Sequence, residues 1–70
     1  MNEDQRELIR RLFVAAAERL ELALELAMKG QLPRARPASY ANHAANLCDA
    51  AREASILADC AEILARRASK

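Results

Sequence analysis

The sequence predicts an all-α protein, an antiparallel two-helix hairpin, and three observations carry that reading. Seventeen of the 70 residues are alanine and ten are leucine, against one Gly, two Pro, one Val and three Ile; this composition favours helix and leaves little from which to build strands. Two long stretches place apolar residues at helical spacing. Between them runs GQLPRARP, residues 30–37, which holds every Gly and Pro of the chain and has the length that joins antiparallel neighbours.

The first helix is predicted over about residues 3–29. Asn2 is a good N-cap, Gln5 three residues on completes a weak capping box, and Glu3 and Asp4 put negative charge in the first turn, where the helix dipole favours it. Lys29 stands in the last turn, Gly30 suits a left-handed cap, and Pro33 blocks continuation. The loop is residues 30–36. The second helix is predicted over about 37–68, with Pro37 as its first residue; a start capped by Ser39 is the alternative.

Helix 1 carries two apolar rows. Ile9, Phe13, Ala16, Leu20, Ala23 and Ala27 form one, and Leu8, Leu12, Ala15, Leu22 and Leu26 the other; Arg11, Glu18, Glu21, Glu25 and Lys29 hold the wet side. Arg19 interrupts the second row, its stem packing and its head seeking water or a carboxylate. Helix 2 shows an alanine seam, Ala44, Leu47, Ala51, Ala54, Ala58, Ala61, Ala65 and Ala68, with Ile56, Leu57, Cys60, Ile63 and Leu64 rotated off it. Small residues allow two helix axes to approach to the ~8 Å end of the usual range, so the alanine seam is the expected close contact.

Each helix thus shows more apolar surface than one hairpin partner covers. A two-fold dimer forming a four-helix bundle covers both stripes, so a homodimer is expected. Its expected interface comprises Leu8, Leu12, Leu22 and Leu26 with Ala54, Ile56, Leu57, Ala58, Ala61, Ile63 and Leu64.

Chemistry is hard to find. A single Gly excludes glycine-rich phosphate loops, and no Ser/His/Asp set has supporting context. One His and two separated Cys fall short of the four ligands of a zinc site, so no metal and no cofactor is expected. Glu18, Glu21 and Glu25 share a face but lack the Glu-x-x-His pairs of di-iron bundles and read as a solvated surface. Cys48 and Cys60, twelve residues apart on one helix, are separated by about 18 Å and cannot bond to each other. They read as small half-buried thiols, with an intermolecular disulfide or redox sensor as the sharper alternative.

Arg36 and His43 are separated by six residues at the start of helix 2. That spacing resembles the loose arginine–spacer–histidine pattern of helical RNA-cleaving HEPN domains. The resemblance covers these two residues alone, and it implies a nuclease in which Arg36 and His43 of two subunits meet at a dimer interface.

Charge is balanced, 11 basic against 10 acidic residues and a net charge of +1, which gives no general pull towards nucleic acid or anionic membrane. A hairpin nevertheless gathers Arg6, Arg10, Arg11, Arg66, Arg67 and Lys70 at one pole, where Glu3, Asp4, Glu7 and Glu62 partly cancel them. Lys29, Arg34 and Arg36 lie at the other pole, and Glu18, Glu21, Glu25, Asp49, Glu53 and Asp59 make an acidic waist. Arg6, Arg10, Arg11, Arg66 and Arg67 are therefore the candidate nucleic-acid contacts. Dimeric hairpins of the plasmid-copy-number Rop type, which bind RNA duplexes, are similar in architecture, with no shared residue motif.

The N-terminus, MNEDQRE, is acidic and polar, unlike a signal or transit peptide, and no uncharged apolar run approaches the ~18 residues of a membrane span; the cytoplasm is the expected compartment. The leading expectation is a non-enzymatic helical protein that self-associates and works through protein–protein contact. A nucleic-acid-binding dimer is the alternative, and a nuclease using Arg36 and His43 the third reading.

Overall fold

A computed structural model describes residues 2–32 and 36–69; the expectations resting on Pro33, Arg34 and Lys70 lie outside the described residues. Two α-helices, α1 (Glu3–Lys29) and α2 (Pro37–Ala68), lie side by side as an antiparallel hairpin.

Each helix begins where its sequence makes beginning cheap. Asn2 is extended, its Oδ1 accepts from the Gln5 backbone N–H at 2.8 Å, and its own N–H donates to Gln5 Oε1 at 3.1 Å. The reciprocal pair satisfies two donors that the first turn leaves without partners. At α2, Arg36 is extended, as a residue before proline prefers, and Pro37 occupies a position whose missing N–H costs nothing.

The end of α1 departs from the expected left-handed cap. Gly30 remains right-handed at φ −67°, ψ −14°. The chain tightens instead: the Gly30 N–H donates to Leu26 O, the Gln31 N–H to Met28 O, and the Gln31 side chain to Ala27 O. Three-residue turns and a side-chain donor satisfy the last carbonyls without a left-handed residue.

The contact between the helices is narrower than the apolar surface available. On α1 the inward positions are Ile9, Leu12, Ala16, Ala23 and Leu26, with Gly30 at the end; on α2 they are His43, Leu47, Ala50, Ala54, Leu57, Ala61, Leu64 and Ala68. Both series step by alternating threes and fours, the seam of a left-handed coiled coil, once the exposed Arg19 is counted at the α1 position between Ala16 and Ala23. The cross-helix pair Arg19–Glu53 marks the register. It places Ile9 level with Leu64, Leu12 with Ala61, Ala16 with Leu57, Ala23 with Ala50 and Leu26 with Leu47. Large faces small at two of these levels, which keeps the axes close.

The seam therefore sits rotated from the expected one. Ala54 and Ala61 are buried and Leu47, Ala65 and Ala68 half-buried, but Ala44, Ala51 and Ala58 are exposed, and Ala50, Leu57 and Leu64 take their inward places. Leucines at 57 and 64 can reach across to α1, which alanines cannot, so they draw the contact line towards themselves. On α1, Phe13 and Leu20, expected in the inward row, are 65% and 58% exposed.

The result is a rod, 52 × 14 × 11 Å between Cα atoms, with a radius of gyration of 16.0 Å. A compact domain of this length has a radius near 11 Å. Among the described residues those buried are Ala23, Ala50, Ala54 and Ala61, and no large side chain is fully buried.

Candidate interaction surface

The hairpin has two broad sides besides its edges, and the grooves along the helix junction show which residues share each. One groove is lined by Arg19, Leu22, Leu26, Asn46, Asp49, Ala50 and Glu53, and a neighbouring one by Arg19, Glu53, Ile56 and Leu57. Further along the same side Leu8 and Arg67 line a third groove. This side carries Leu8, Leu22, Ile56 and Ile63, and it is crossed by charge. Arg19 Nε meets Glu53 Oε2 at 3.0 Å, about half of each side chain remaining exposed. An ion pair so exposed contributes only ~0–1 kcal/mol but keeps its surroundings hydrated.

The opposite side is different. A groove lined by Ala27, Gly30, Gln31, Tyr40, His43 and Ala44 opens on it near the loop. At 100° per residue α1 continues this side through Leu24, Leu20, Ala17 and Phe13, and α2 through Ala51, Ser55 and Ala58. Leu24 is 62% exposed, comparable with Phe13 and Leu20. No charged residue falls on these stripes between Phe13 and Ala27, or between Ala44 and Ala58; Arg6, Arg10 and Glu62 lie beyond, at the end away from the loop.

The expected interface residues divide accordingly. Leu12, Leu26, Leu57 and Leu64 are half-buried, and Ala54 and Ala61 buried, along the hairpin contact. Leu8, Leu22, Ile56, Ile63 and Ala58 remain on the surface, the first four on the charged side and Ala58 on the uncharged one. Phe13 and Leu20 lie on the uncharged side together with Leu24, and the heptad series Phe13, Ala17, Leu20, Leu24, Ala27 is what groups them in the sequence.

The candidate chemical groups are not assembled. His43 is half-buried beside Tyr40 and Leu47, and Arg36 is an exposed residue at the helix start. Cys48 and Cys60 are both exposed free thiols, not half-buried as expected, because each lies off the contact line. No group of three or more His, Cys, Asp or Glu residues capable of holding a metal occurs among the described residues. At the basic pole, Glu7 pairs with both Arg10 at 3.6 Å and Arg11 at 3.3 Å, and Glu62 pairs with Arg66 at 3.2 Å. Three of the five candidate phosphate contacts are thus already matched with carboxylates.

No protein-family model matches the chain, and neither the curated proteins nor the solved structures yield a match. No helix among the described residues is long and apolar enough to cross a membrane.

The surface area is large for the mass of the chain. The chain exposes 5697 Å². A compact monomer of its mass exposes about 4,300 Å². The surplus of about 1,400 Å² exceeds the ~800 Å² that each partner contributes to a standard protein–protein interface.

Proposed function

We propose that this is a small non-enzymatic helical protein that self-associates into a homodimeric four-helix bundle and acts through protein–protein contact, as an adaptor, regulator or subunit. One observation carries the reading: the described residues include eleven large hydrophobic side chains that are exposed and none that is fully buried. Soluble monomers avoid contiguous apolar surface on this scale, and a chain of 70 residues rarely stabilises itself without a staple or a partner. Neither the paired basic pole nor the separated Arg36 and His43 offers a comparable argument for nucleic-acid binding or cleavage.

The test is the protein-concentration dependence of thermal unfolding. For a chain folded as a dimer the midpoint rises with concentration, because dissociation and unfolding are one equilibrium. A midpoint constant across a hundredfold range of concentration contradicts the proposal.

A further inference from the structure

We infer that the self-association surface is the uncharged side of the hairpin and that its occupant is a second copy of the same side, with Phe13, Leu20 and Ala27 of each chain laid over Ala58, Ala51 and Ala44 of the other and Leu24 beside them. The inference rests on the self-association proposed above and adds which face is used and how it fits.

Two observations choose the face. First, an interface core excludes charge. The side holding Leu8, Leu22, Ile56 and Ile63 is crossed by the Arg19–Glu53 pair and flanked by Asp49 and Arg67. Covering it would strip water from those groups. The other side bears no charge along its middle. Second, its large apolar residues are the more exposed of the two sides: Phe13, Leu20 and Leu24 are each more exposed than Leu8, Leu22, Ile56 or Ile63.

The shape of that side chooses the occupant. It carries a ridge of large residues on α1 beside a trough of alanines on α2. In the hairpin register Phe13 lies within about half a helical turn of the level of Ala58, Leu20 of Ala51, and Ala27 of Ala44. A two-fold axis along the rod sets one chain's α1 antiparallel to its partner's α2 at these same levels. Ridge then enters trough twice, as an isologous interface requires. Arg6 and Arg10 of one chain come to the same end as Glu62 of the other, so charges of opposite sign meet there. The surplus area of about 1,400 Å² per chain is more than a stable dimer needs.

The experiment compares Leu20→Glu with Ile63→Glu in the full chain by sedimentation equilibrium, with circular dichroism to confirm helix content. Leu20→Glu should weaken the dimer at least ~100-fold, since it strands a charge in an apolar contact, while Ile63→Glu leaves it unchanged. Dissociation by Ile63→Glu with Leu20→Glu still dimeric, dissociation by both, or dissociation by neither overturns the face assignment while leaving self-association standing. A monomeric wild type overturns both. If Leu20→Glu loses its helix, maleimide labelling decides, in a background of Cys48→Ser and Cys60→Ser: the thiol of Ala51→Cys should be protected and that of Ile63→Cys freely labelled. Equal labelling overturns the inference.

Discussion

The two sides of the hairpin are built from the same helices and nearly the same residue types, yet they differ in one respect that decides what each can do. Leu8, Leu22, Ile56 and Ile63 stand among Arg19, Asp49, Glu53 and Arg67, so their apolar surface is broken into patches that water and ion pairs surround. Phe13, Leu20, Leu24 and the alanines beside them form an unbroken strip. Scattered exposed hydrophobics are ordinary on soluble proteins and need no partner; a contiguous strip does. The amount of apolar residue on a face is therefore a poorer guide to its role than the placement of the charges between them.

Substitutions can break this comparison or sharpen it. The largest effect is expected from Phe13→Ala, which removes the bulkiest side chain of the uncharged strip and should destabilise the assembly by ~3–5 kcal/mol in thermal or urea unfolding at fixed protein concentration. A loss below about a kilocalorie would place Phe13 in solvent. Next comes Ala51→Leu. It adds volume where a partner's Leu20 is expected to sit, and overpacking should cost ~1–3 kcal/mol. If Ala51→Leu raises the unfolding midpoint, the alanine trough is not a packed contact. Breaking the pair across the charged side by Glu53→Ala should cost under ~1 kcal/mol, and salt should shrink the difference further. The smallest effect belongs to Ile63→Ala, expected to lie within ~0.5 kcal/mol because that side chain faces water. A cost comparable with that of Phe13→Ala would erase the distinction between the sides.

Much of the fold was legible in the sequence because local chemistry specifies it. Asn2 and Gln5 announce a capping box, Pro37 announces a helix start, and the composition leaves few strand formers to compete. The rotation of each helix about its own axis was not legible. Alanine occupies three adjacent rows of α2, so the apolar period is satisfied by several rotations at once, and periodicity alone does not choose among them. The choice falls to Leu47, Leu57 and Leu64, which are long enough to reach α1, and their inward turn leaves Ala44, Ala51 and Ala58 outside. The same ambiguity on α1 placed Phe13 and Leu20 in the inward row. The end of α1 was not legible for a different reason: a glycine permits a left-handed cap without requiring one, and Gln31 supplies a side-chain donor that makes it unnecessary.

Since both the proposed dimer and its face turn on whether two hairpins lie side by side, small-angle X-ray scattering on the wild-type protein at micromolar to millimolar concentration tests the account most directly. A mass twice the chain's 7.7 kDa, in a particle close to the hairpin's own 52 Å length but thicker, is the expected result. A particle of single-chain mass, or one of double mass and nearly double length, would contradict it.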